Sequence, residues 1–337
     1  MPTISLAASS AGAIVAVKEA AGSLDFRPTT FEALTAMALL AFRAARVEIA
    51  VLEVGLGGRL DATNVVAPQV ACVTPISFDH MEQLGNTLAE IAAEKAGIIT
   101  GPAPVVLGPQ PPEALAVLEE ACRRAGARVW GVGRELHARD VCVAETGTTF
   151  TAVTPAGVLA GLSTPLVGRH QADNALVALG AAGSLPAALV PGEAAVRAGL
   201  AAVAWPGRLQ CRPGDARVWV DGAHNAASGE SLAAAVRQLW PGRRLALVFA
   251  MLRGKDVAGT ARALFPLATA VFLPELRHPR RLPAAELEAV VAACGTPVAR
   301  VAGVAEAVAA ARSAAGSDGV VLATGSLALA GEVLSLR

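Results

Sequence analysis

Short runs rich in β-branched residues alternate along this chain with longer Ala- and Leu-rich stretches, and that alternation limits the folds open to it. A strand, a helix and a second strand in succession read as a parallel sheet with crossover helices packed on its faces. In the first half, residues 31–45 read as a helix with Thr30 placed to cap it. Residues 47–52 read as a buried strand, although Glu48 interrupts the apolar run. Strands are also expected over 70–74 and 104–107, with helices over 87–95 and 113–125. Thr87 and Glu90 have the spacing of a capping box, in which each side chain satisfies the other's backbone amide. Residues 140–168 read as hairpin strands, and helices near 171–182 and 192–203 close this half. Trp205-Pro206-Gly207 interrupts two periodic regions and marks the expected boundary between domains 1–204 and 205–337. Beyond it, strands expected over 218–220, 245–249, 270–273, 298–301 and 320–323 alternate with helices, the pattern of a doubly wound Rossmann-like domain.

Composition narrows the function. Hydrophobic residues make up 54% and charged ones 17%, enough apolar surface for two cores. The 28 basic and 28 acidic residues cancel, which leaves no positive surplus to release counterions from nucleic acid. Five scattered cysteines show no CxxC or Cys/His spacing, so neither a zinc site nor a disulfide framework is expected. The first twenty residues hold an apolar stretch without a positive segment before it and read as part of a soluble chain, not a signal peptide. The expectation is a cytoplasmic protein without nucleic acid or membrane.

Several polar clusters follow strands. In open parallel sheets, ligands bind outside the carboxyl ends of the strands. Glu53 ends the 47–52 run and enters the glycine-rich turn Gly55-Leu56-Gly57-Gly58-Arg59-Leu60-Asp61. It could bind a ligand or simply pair with Arg59. Ser77-Phe78-Asp79-His80 follows the next strand. A carboxylate and an imidazole make a Mg²⁺ site only when phosphate oxygens and waters complete it, and a lone His is more often structural. Lys95, in Glu94-Lys95-Ala96-Gly97, could equally complement a helix dipole. The remaining clusters are Gly168-Arg169-His170-Gln171-Ala172-Asp173-Asn174, Pro206-Gly207-Arg208 and Asp221-Gly222-Ala223-His224-Asn225.

In this order, these segments resemble the folylpolyglutamate synthase/dihydrofolate synthase branch of the Mur ligase superfamily. The wording EVGLGGRLDATN from Glu53 to Asn64 is the most specific, and ATGSLALAGEV near the end completes the series. The resemblance implies an α/β protein with an incomplete central ATPase-type domain over 1–204 and a C-terminal glutamate ligase domain over 205–337. It implies Glu53 and His80 as magnesium ligands and Lys95 as a lysine carbamylated in many members. Asn174, Arg208 and Asp221 would contact ATP, and His224 would lie near the phosphates. The small-molecule substrates and the monomeric state expected of the chain follow from the same resemblance. The reaction implied is ATP-dependent phosphorylation of a carboxylate on dihydropteroate or a folate glutamyl tail. The amine of L-glutamate then displaces the phosphate.

The family's GxxxxGK[ST] phosphate loop does not occur in this sequence; Leu6-Ala7-Ala8-Ser9-Ser10-Ala11-Gly12 has no lysine in the required place. The expectation is an N-terminally truncated member without ATP-dependent ligation of its own. The alternative is a member that binds folate or nucleotide without turnover.

Overall fold

The computed structural model describes the backbone of residues 6–336 and the side chains of residues 12–336. The first five residues of the N-terminal segment lie outside that range. The chain opens with two helices, α1 (Leu6–Gly22) and α2 (Thr30–Ala45), packed on each other. The cap of α2 is Thr29, one residue before the expected Thr30: the Glu32 amide donates to Thr29 Oγ1, and Glu32 reaches back to the Thr29 amide. Glu32 decides this, because a cap at Thr30 would put Ala33, which cannot accept, at the reciprocating position.

Residues 47–52 are not a strand. They carry no ladder pairing, and Val51 is 89% exposed. A β-branched run becomes a strand only where a neighbouring edge offers its amides and carbonyls, and none lies beside this run among the described residues. The parallel sheet that does form is β1 (Ala71–Val73), β2 (Val105–Leu107) and β3 (Val129–Gly131), paired in that order. Helices α3 (Met81–Leu84), α4 (Leu88–Ala96) and α5 (Pro112–Ala125) connect these strands. The capping box expected at Thr87 and Glu90 is present at the start of α4. Ile91, Val105, Leu107 and Leu118 make the core on this face.

Next comes an antiparallel meander of β4 (His137–Ala144), β5 (Gly147–Thr154) and β6 (Gly157–Thr164). Helix α6 (Arg169–Gly183) packs between this meander and the first sheet, where Val106, Leu136, Phe150 and Leu176 are buried together. Helix α7 (Glu193–Ala201) lies against β6.

The second half holds six strands: β7 (Gln210–Arg212), β8 (Asp215–Val220), β9 (Leu245–Phe249), β10 (Ala270–Pro274), β11 (Val298–Val301) and β12 (Val320–Thr324). Their spatial order is β11-β10-β9-β12-β8-β7, parallel except for the antiparallel edge strand β7. Helices α8 (Ala226–Leu239), α9 (Val257–Leu264), α10 (Ala284–Val291), α11 (Val304–Ala315) and α12 (Leu327–Leu334) connect these strands and cover both faces. All five residues of β9 and of β12 are buried, as strands covered on both faces must be. The five longer strands fall where the sequence places them; β3 and β7, of three residues each, are not among the strands expected from it. Among the described residues no helix is long and apolar enough to cross a membrane.

Candidate functional site

The glycine-rich turn is built by Asp61. Its Oδ2 accepts the amides of Gly55 and Leu56 at 3.0 Å each, and its Oδ1 accepts the amide and hydroxyl of Thr63 at 3.0 and 2.6 Å. Burial opposes ionisation of Asp61, but these bonds prevail and hold its carboxyl below the usual range. The turn then lies on the C-terminal end of α4. A Cβ on Gly97 would stand 2.3 Å from Arg59 Cα, and one on Gly58 would stand 3.0 Å from the carbonyls of Glu94 and Lys95. Only glycine permits backbones that close. Arg59 donates through its backbone to Glu94 O at 2.9 Å and through Nη2 to Glu94 Oε1 at 2.8 Å. Arg59 is therefore the partner of Glu94, not of Glu53. Glu53 is exposed, and no hydrogen bond or ion pair among the described residues joins it to His80.

Asp79 lies where the two halves meet. Its Oδ1 accepts the His80 amide at 2.9 Å and Lys255 Nζ at 2.9 Å. Its Oδ2 accepts Lys255 Nζ at 3.1 Å and Asn225 Nδ2 at 3.4 Å, and stands 3.5 Å from His224 Nε2. Burial would raise its pKa, yet the bonds from His224 and Lys255 and the Lys255 and His80 charges hold the carboxyl far below its usual value. Lys95 faces this carboxylate from α4. Its half-buried position lowers its pKa, and the Asp79 charge only partly offsets that effect. His80 adopts a left-handed backbone with φ of 52°.

Across the cleft, Asp221 follows the C-terminal end of β8. Its Oδ2 accepts the Leu209 amide at 2.8 Å and its Oδ1 the Ala223 amide at 2.7 Å. Burial raises its pKa against those amides and the charges of Arg208 and His224. His224 donates from Nδ1 to Gly222 O at 2.8 Å, which leaves Nε2 facing Asp79. Arg208 also reaches His170 at the start of α6, where burial and the Arg208 charge together lower the histidine pKa. His170 Nε2 accepts from Gln171 Nε2 at 3.0 Å, and Gln171 Oε1 accepts from Asn174 Nδ2 at 3.2 Å. The Arg208 charge therefore acts on groups of both halves, His170 and Asp221. At the end of β12, beside β8, the buried Thr324 hydroxyl has no partner among the described residues.

The structure thus gathers His80, Lys95 and His224 around Asp79, and Arg208 beside Asp221. Sequence reasoning named the Asp79 segment but not Asp79 itself, and it missed Lys255. The available signal was Gly254-Lys255-Asp256, a charged group a few residues after the buried run of β9. Among the described residues no group of three or more His, Cys, Asp or Glu forms a metal-binding cluster.

Comparison with known proteins gives two domain matches. Residues 3–182 match the Mur ligase middle domain, and residues 207–327 match the Mur ligase glutamate ligase domain. The chain is 41% identical over 275 residues to the dihydrofolate synthase/folylpolyglutamate synthase of Mycobacterium tuberculosis, covering 79% of this chain and 56% of that protein. It is 37% identical over 263 residues to the Bacillus subtilis protein of the same name, covering 75% of this chain and 60% of the relative. The chain therefore spans little more than half the length of these relatives. A solved structure of Mycobacterium tuberculosis folylpolyglutamate synthase complexed with ADP superposes with a TM-score of 0.88 at 33% identity, over 98% of this chain and 79% of that one.

Proposed function

Because this chain belongs to the dihydrofolate synthase/folylpolyglutamate synthase family of Mur ligases, we propose that it forms the body of an ATP-dependent ligase. That ligase adds L-glutamate to dihydropteroate, to a tetrahydrofolate polyglutamate, or to both, in the cytoplasm. The carrying observation is the facing of Lys95 and His80 on one side with His224, Arg208 and Asp221 on the other. The chain divides into a central domain over 1–204 and a glutamate ligase domain over 205–337, a division supported by matches on either side of residue 205.

Asn174, Arg208 and Asp221 hold the nucleotide, a reading supported by the ADP complex of the mycobacterial relative. Glu53 and His80 hold Mg²⁺. A cation held by few protein donors keeps waters and takes phosphate oxygens. Mg²⁺ held there would supply charge neutralisation at the phosphoryl oxygens. Lys95 attacks CO₂ as the neutral amine and loses a proton to form a carbamate. Its half-buried position favours this because it lowers the amine's pKa. His224, turned toward the cleft, lies near the phosphates. A carboxylate is a poor acyl donor, so phosphorylation supplies the leaving group that the glutamate amine displaces. Holding acyl phosphate and amine between two domains makes the step effectively unimolecular.

The alternative reading is nucleotide or folate binding without turnover. Glutamate incorporation into dihydropteroate and tetrahydrofolate, with ATP and Mg²⁺, separates the two. This chain alone should stay at background, because each lost preorganised donor at an anionic transition state costs about 3 kcal/mol. The chain joined to a segment bearing a GxxxxGK[ST] loop should turn over. Failure of the joined protein would leave only the binding reading.

A further inference from the structure

We infer that Asp79 is a positioning residue that locks the two domains together across the cleft, taking Lys255, His224 and Asn225 onto one carboxylate and tying the His80 loop to domain closure. What closure serves rests on the ligase reading; the lock itself rests on geometry alone.

The polar bonds that cross between the domains among the described residues converge on two acids. Glu145, at the turn between β4 and β5, accepts Trp240 Nε1 at 2.6 Å and Arg243 Nη1 at 3.2 Å. It lies where Val143 and Val167 pack into the core of the second domain. That side is an apolar seat. Asp79 is the other acid, and its bonds to Lys255 and Asn225 hold the cleft side. With Asp79 released, rotation about the Glu145 seat would meet no opposing polar bond from the first domain.

The lock is strong for its position. The Asp79 and Lys255 side chains are 26% and 16% exposed, so solvent screens the pair less than it screens a surface ion pair. Lys255 gives both carboxylate oxygens a bond, and Asn225 and His224 approach from a separate loop. Two second-domain segments therefore register on a single group.

The same carboxylate holds its own loop. A left-handed backbone at a non-glycine residue is unfavourable and persists where its surroundings over-determine it. His80 has that conformation, with its amide on Asp79 Oδ1 and its carbonyl accepting the amides of Gln83 and Leu84. Closing the domains and presenting His80 are consequently one event.

The test uses the full chain without nucleotide, folate or glutamate, so a protein that ligates nothing can still pass or fail it. Asp79→Asn and Lys255→Met are compared with the parent by small-angle scattering and amide hydrogen exchange. Both variants should raise the radius of gyration, with the open population up about tenfold, since bonds to charged groups are strong. Exchange at residues 79–84 should quicken about tenfold in both. Lys255→Met is decisive because it lies in the other domain: a purely local role for Asp79 would leave exchange at 79–84 unchanged there. The double swap Asp79→Lys with Lys255→Asp should restore the parental radius. An unchanged radius in both single variants, or unchanged exchange at 79–84 in Lys255→Met, overturns the inference.

Discussion

Lys95 and Gly97 show how two residues of one helix end carry different burdens. Burial lowers the Lys95 pKa, which favours the neutral amine relative to a solvated lysine. The sign for stability follows. A lysine with a depressed folded pKa binds fewer protons folded than unfolded, so its contribution improves as pH rises through the folded value toward the unfolded one. Labelled bicarbonate should give a carbamate carbon resonance that strengthens as pH rises from 7 to 9 and vanishes in Lys95→Ala. A resonance that survives Lys95→Ala belongs to another amine. Gly97 has no side chain because Arg59 Cα occupies the space. Gly97→Ala must push one backbone off the other, and strain of this kind costs about 1–3 kcal/mol. Thermal unfolding should show the loss, and Gly101→Ala, where a Cβ meets open space, should not.

At the level of elements, the unpaired run 47–52 departs most from its sequence. Val47, Ile49 and Val51 have strand chemistry, yet Val51 is 89% exposed because no edge is present to pair with it. Val51→Lys should therefore change stability by less than about 0.5 kcal/mol, as exposed substitutions do. A loss of several kcal/mol on chemical denaturation would show that the run is buried after all. What was legible follows the same physics. The buried runs of β9 and β12 and the capping box at Thr87 specify their elements by local chemistry alone. Glu32, three residues after Thr29, is the local signal that places the α2 cap there. The candidate site was legible as segments after strands, including Asp221-Gly222-Ala223-His224-Asn225. That Asp79 takes Lys255, 176 positions away, was not, since no local periodicity encodes which loops converge.

For the whole molecule, the second domain has a core of its own on both faces of its sheet. A polypeptide of residues 205–336 should fold with a cooperative transition, and an insoluble or unfolded product would show that the boundary lies elsewhere. Within that sheet, β12 pairs with both β8 and β9, which do not pair with each other. The strand reached latest along the chain therefore occupies the middle. During synthesis β9, β10 and β11 can assemble early, but β8 has no parallel partner until residue 324 has left the ribosome. About seventy residues separate β9 from β12, and such non-local pairing is slow to form. A nascent chain halted near residue 315 would hold two half-sheets with exposed edges, a natural client for a chaperone bound at the tunnel exit.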